Sequence, residues 1–168
     1  MKIMLAAMAL MLATPSLAAD CPLTEAVYGQ PGNDWTMRFT PVPRDGAANQ
    51  IAAFSIAMPG APETRFDGGI YIPNGFGQAF GVVSLAAETG NEAEDEPASE
   101  AGPFWEGVVY ALVDGGIAEL PHEPGQPAPQ QVLLPQFASS IWYSMLRETA
   151  FADESGVLDT FVLQACAK

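Results

Sequence analysis

Gly69-Ile70-Tyr71-Ile72-Pro73-Asn74-Gly75-Phe76-Gly77-Gln78-Ala79-Phe80-Gly81-Val82-Val83-Ser84-Leu85-Ala86 is the stretch on which the fold turns. Two apolar runs flank Asn74-Gly75, and Asn-Gly suits the two central positions of a tight hairpin turn because both residues tolerate positive φ. The stretch predicts a β-hairpin with arms over 69–73 and 76–86. Gly77 and Gly81 in the second arm predict a bulge, a bend or the close approach of another backbone. Tyr71 and Phe76 on this hairpin are candidate binding aromatics, forming either a lip over a site or the ordinary packing of a glycine-rich turn.

Working outward, the sequence continues in short β-type segments. Trp35, Met37 and Phe39 alternate with Thr36, Arg38 and Thr40, which is the period of a strand with one buried face. Pro41 and Pro43 stop it. A polar turn over Arg44–Asn49 leads to a second strand, Ile51–Met58, closed by Pro59-Gly60. Downstream, residues 88–102 carry Glu92, Glu94, Asp95, Glu96 and Glu100 among small residues, so they read as a long exposed acidic loop. Phe104–Val113 resumes as a strand, and Asp114-Gly115-Gly116 turns it into a short partner, Ile117–Leu120.

A Pro-rich connector then occupies 121–131, where Pro121, Pro124, Pro127 and Pro129 exclude a regular hydrogen-bonded element. One helix follows. Turning 100° per residue from Leu134 places Phe137, Ala138, Ile141, Trp142, Met145 and Leu146 on its side, with Gln136, Ser139, Ser140 and Arg147 opposite. Pro135 suits the first turn. The chain closes with a strand over Asp159–Cys166, favoured by Thr160, Phe161 and Val162. The expected fold is α+β and mainly β. It is an antiparallel β-meander of about six to seven strands, sandwich or small barrel, with one C-terminal helix packed against it.

The first residues carry a different signal. Met1 and Lys2 precede an apolar run from Ile3 to Ala13, then Pro15 and the small residues Ser16, Ala18 and Ala19. This order is that of a cleaved signal peptide, and a run of this length falls short of the ~20 residues a membrane-spanning helix needs. Cleavage is expected after Ala18, or after Ala19, leaving residues 19–168 as one β-rich domain of 168 − 18 = 150 residues that is periplasmic or secreted. Asp20 immediately before Cys21 argues against lipoprotein processing at that cysteine. Cys21 and Cys166 are the only two cysteines, and in an exported chain they predict one disulfide joining the two ends.

Charge narrows the partners. The formal net charge is −14 for the whole sequence, from 20 acidic and 6 basic residues. Loss of Lys2 with the leader makes it −15. Nucleic acid and anionic lipid both require clustered Lys and Arg, and the few here are spread thinly, so neither is an expected partner. No apolar stretch after the leader is long enough to anchor the mature chain in a membrane.

Catalytic motifs are sparse. His122 is the only histidine, and no glycine-flanked serine elbow accompanies it. The cysteines and histidine lack zinc spacing, and the acidic loop lacks the glycine-centred spacing of a calcium hand, so no metal or cofactor is expected. Asp67, Glu106, Asp114 and Glu119 near strand ends are the carboxylates available for hydrolytic chemistry. Aromatics are the more informative set. Phe104 and Trp105 are adjacent and must point to opposite faces of a strand, and Tyr143 falls on the polar side of the helix. Trp105, Tyr143, Tyr71 and Phe76 are therefore the candidate binding residues. The expectation is a non-catalytic exported binding or protein-interaction module, with a small-ligand carrier in a barrel mouth or a carboxylate hydrolase as the alternatives.

Overall fold

The computed structural model describes residues 21–58, 60, 64–73, 77–86, 102–123, 126–144 and 158–167. The leader, the acidic stretch 88–101, Phe76 and the expected helical residues Met145 to Arg147 lie outside them.

A 3-10 turn over Leu23–Glu25 precedes ten strands: β1 (Ala26–Gly29), β2 (Thr36–Thr40), β3 (Gln50–Ala57), β4 (Arg65–Tyr71), β5 (Phe80–Leu85), β6 (Trp105–Val108), β7 (Tyr110–Val113), β8 (Gly116–Ala118), β9 (Gln131–Leu133) and β10 (Thr160–Cys166). Helix α1 (Phe137–Tyr143) lies between β9 and β10. All described ladders are antiparallel, and they form one sheet in the order β6-β5-β4-β3-β2-β1-β10-β9-β7-β8. Neighbours in sequence are mostly neighbours in the sheet, as expected of a meander, and β10 returns to lie beside β1.

β6 at one end of that order and β7, second from the other end, belong to one piece of chain. Only Val109 separates β6 from β7. β6 pairs with β5 and β7 pairs with β9, while the Val109 N–H donates to the Ala79 carbonyl at 2.8 Å. Burial alternates straight through the junction, with Trp105, Val109 and Ala111 buried and Glu106, Val108, Tyr110 and Leu112 less so. The sheet therefore curls until β5 and β9 flank one continuous segment, with β8 hairpinned onto β7, which makes it barrel-like rather than a pair of stacked sheets.

Its interior face is aromatic. Tyr28, Phe39 and Phe54 stack in sequence across β1, β2 and β3, with ring centroids 5.7 Å and 5.4 Å apart. Phe54 faces Gly68 across the β3–β4 ladder, and a Cβ on Gly68 would strike the Phe54 ring. Gly81 gives Trp105 and Val109 their space in the same way, since its Cβ would stand 2.8 Å from the indole. Large rings thus sit opposite residues without side chains, which lets a narrow interior close-pack. Burying each such ring contributes about 1.5–3 kcal/mol.

The ends of the chain meet as the cysteine arithmetic predicts. Cys21 and Cys166 form a disulfide with Cα atoms 6.0 Å apart across a sequence separation of 145. β1 and β10 continue the closure, with Ala26 opposite Cys166. Such a bond is compatible with an oxidising extracellular or periplasmic location.

Three sequence expectations change. Among the described residues the strands number ten, because β1 and β9 carry no visible alternation and the strand expected over 104–113 divides at Val109 into β6 and β7. β1 has four residues with a register shift between Val27 and Tyr28, and β9 has three residues at the end of the Pro-rich stretch. The hairpin of β4 and β5 forms, but its connection runs from Ile72 to Ala79 rather than through a two-residue turn, and the second arm begins at Phe80. Pro73, which cannot donate to the ladder, follows the end of β4. Among the described residues the helix covers Phe137–Tyr143 alone, with Leu134 buried ahead of it after β9. The tight turn at Asp114-Gly115 is as expected, with φ of 51° and 78°.

Candidate functional site

One mouth of the barrel is plugged by α1. Phe137 and Ile141, one helical turn apart, point inward and are buried. The Phe137 ring lies 5.9–6.3 Å from the rings of Trp35, Phe104, Trp105 and Phe161, contributed by three different parts of the wall. This spacing is that of interlocked edge and tilted contacts.

The helix start is held from a distance. Gln136, the residue before the helix, has φ 65° and caps nothing with its own side chain. The Asp159 carboxylate supplies the cap: Oδ2 accepts from the Gln136 N–H at 2.8 Å and Oδ1 from the Ala138 N–H at 2.9 Å. A carboxylate there satisfies otherwise orphaned donors and complements the positive end of the helix. At the other end Tyr143 is 84% exposed and Trp142 is 45% exposed. Tyr143 is thus where the helical wheel places it. Trp142 is not, because a two-turn helix buries only the residues that reach into the mouth, and Trp142 lies beyond Ile141.

The opposite mouth holds a cleft of about 200 Å³ lined by Pro22, Leu23, Thr24, Ile51, Pro121, His122, Glu123 and Gln126. Gln126 shapes its rim, since Oε1 accepts from the backbone N–H groups of both His122 and Glu123 at 3.0 Å. His122 Nδ1 lies 3.3 Å from the Leu120 carbonyl oxygen. The Pro22–Pro127 bridge and the Ala128 N–H donating to the Cys21 carbonyl hold the two sides of the cleft together. Proximity of His122 to Pro22 and Ile51 had no sequence signal, because these residues come from three distant segments.

The candidate aromatics do not come together. Trp105 is 2% exposed, and its indole N–H donates to the Pro135 carbonyl at 2.9 Å, so it belongs to the plugged interior. Phe104 is half-buried against Phe66 and Phe137. Neither neighbour faces away from the core, because Phe104 precedes β6, outside strict strand alternation, and α1 covers it. Tyr71 is half-buried at the far end of β4 from α1, with its ring beside Gly69. Phe76 lies outside the described residues.

The carboxylates are also dispersed. Asp67 pairs with Arg65 at 3.0 Å on the exposed face, Glu119 accepts from Gln78 Nε2 at 3.3 Å, Glu106 is exposed, and Asp114 occupies a turn. Among the described residues no three His, Cys, Asp or Glu side chains gather as metal ligands, and no helix is long and apolar enough to cross a membrane.

The fold and its two mouths define a disulfide-closed, helix-plugged antiparallel β protein. Comparison with protein families, with curated proteins and with solved structures finds no match.

Proposed function

We propose that the protein is a non-catalytic exported binding module that recognises a protein partner at its helix-plugged mouth, with Tyr143 as the anchor and Trp142 beside it. The observation that carries this reading is the pairing of a largely exposed tyrosine with a helix anchored by two buried residues and capped from elsewhere in the chain. Phe137 locks α1 into four rings, Asp159 holds its start, and Tyr143 stands 84% exposed two residues beyond buried Ile141. An aromatic held on a rigid element buries much surface on binding at small entropic cost, which is why tyrosine and tryptophan dominate interface energetics. Exposed aromatics without such a role are an aggregation hazard.

The carrier alternative is less well supported, since the rings of the interior stand 4.9–6.3 Å apart and occupy the space a ligand would need. The hydrolase alternative is less well supported, since Asp67 is engaged by Arg65, Glu119 by Gln78, and Asp114 lies in a turn.

A photo-crosslinking residue placed at position 143 in producing cells tests the proposal, with the same residue at Asp67 as control. One dominant protein adduct at 143 and none at 67 is expected, and Tyr143→Ala should weaken binding of the purified partner at least about tenfold, the ~1.4 kcal/mol scale of a hot spot. Equal adducts at both positions, or unchanged affinity in the variant, would overturn it.

A further inference from the structure

We propose that the cleft at the opposite mouth is a second binding site, specific for the side chain of a basic residue, an alkylammonium or guanidinium group presented by a peptide. This inference is independent of the recognition surface on α1. Size sets the first limit. About 200 Å³ is below the ~300–1,000 Å³ of sites for drug-sized ligands, so it suits one extended side chain.

The lining sets the chemistry. Leu23 is buried and Ile51 half-buried, and with Pro22 and Pro121 they form apolar walls against which a methylene stem can lie. At the rim stands Glu123, exposed, whose carboxylate has no hydrogen-bond or ion-pair partner among the described residues. Its backbone N–H is already taken by Gln126 Oε1, which fixes the turn that carries it. No Lys or Arg lines the cleft, and the chain carries 20 acidic against 6 basic residues. The surrounding field therefore draws cations in and keeps anions out. Apolar walls beside a rim carboxylate without a partner among the described residues are the complement of lysine or arginine.

The site is also built before a ligand arrives. The Cys21–Cys166 bond, the Pro22–Pro127 bridge and the two bonds from Gln126 fix its sides, so little ordering entropy is lost on binding.

Titration of the full chain, disulfide intact, with Nα-acetyl-lysine methylamide and with its uncharged counterpart Nα-acetyl-norleucine methylamide tests this by backbone amide NMR. The lysine probe should shift the amides of Leu23, Thr24, Ile51 and His122 with a Kd on the order of 1 mM, a strength suited to one small contact. The norleucine probe should bind at least about fivefold more weakly, and Glu123→Gln should erase that difference while leaving the melting temperature unchanged. Equal binding of the two probes, shifts located elsewhere, no shifts at all, or an unaffected Glu123→Gln variant would each overturn the proposal.

Discussion

The side chain of Gln30 pairs with the backbone of Leu158 at two points: Nε2 donates to the Leu158 carbonyl at 2.6 Å, and Oε1 accepts from the Leu158 N–H at 3.2 Å. Gln30 is 3% exposed and 128 residues away in sequence. Its amide acts as one extra rung between the β1–β2 connection and the approach to β10, and Asn33 Nδ2 donates to the same Oε1 at 2.7 Å. Replacing Gln30 with Leu removes the rung and leaves the Leu158 groups without partners. A loss of about 1–3 kcal/mol in urea unfolding is expected. A loss below ~0.5 kcal/mol would show that water replaces the amide at no cost.

Tyr28 buries its phenol inside the barrel, where the hydroxyl donates to the Pro129 carbonyl at 3.1 Å. Burial pushes this group well above the ordinary tyrosine range. The folded chain thus holds the proton more tightly than the unfolded chain, so this contribution is complete below about pH 10 and is lost as pH rises beyond it. Phenolate absorbance should show Tyr28 titrating only as the chain unfolds. Tyr28→Phe should remove this alkaline component and cost about 1–2 kcal/mol at neutral pH by leaving the carbonyl unpaired.

The Cys21–Cys166 bond closes a loop spanning most of the described chain. In the loop-entropy picture a closure of this length stabilises by up to about 5 kcal/mol. The Cys21→Ser/Cys166→Ser double variant should unfold at a markedly lower urea concentration, with a melting temperature lower by ~2–4 °C for each kcal/mol lost. An unchanged midpoint would mean that the β1–β10 ladder alone holds the ends.

Asp159 caps α1 from the far side of the chain. Asp159→Ala should cost about 0.5–2 kcal/mol, as at other helix N-caps. Asp159→Asn keeps one acceptor and should recover part of that loss, which the two melting temperatures would separate.

Trp105 and Tyr143 make opposite predictions from similar chemistry. Trp105→Ala opens a cavity beneath α1 and breaks the bond to Pro135, for an expected loss of about 3–5 kcal/mol. Tyr143→Ala removes an 84% exposed ring and should leave stability within about 0.5 kcal/mol. Circular dichroism melts of the two variants would reverse this assignment if Tyr143→Ala proved the more damaging.

Several elements were legible because their signal is local. The alternation of Trp35, Met37 and Phe39 needs only side-chain period, and β2 follows it. The turn at Asp114-Gly115 needs only two residues that tolerate positive φ. β9 and β1 were invisible because three or four residues are too few to display a period, and the β1 bulge breaks what period there is. Of the candidate site residues, the exposure of Tyr143 was legible from the helical wheel. The burial of Trp105 was not, since the face it occupies is covered by α1 and its indole leans over Gly81 on the neighbouring strand, which only packing brings there.

The sequence by itself determined the mainly antiparallel β character, the helix before the last strand and the pairing of Cys21 with Cys166, because each depends on backbone preference or on there being just two thiols. The tertiary structure decided that β6 and β7 are one segment bridging β5 and β9, that Phe137 plugs one mouth, and that His122 and Glu123 meet Pro22 and Ile51 at the other. Those arrangements follow from how twist and ring packing curl the sheet, and such long-range closure leaves no periodic trace along the chain.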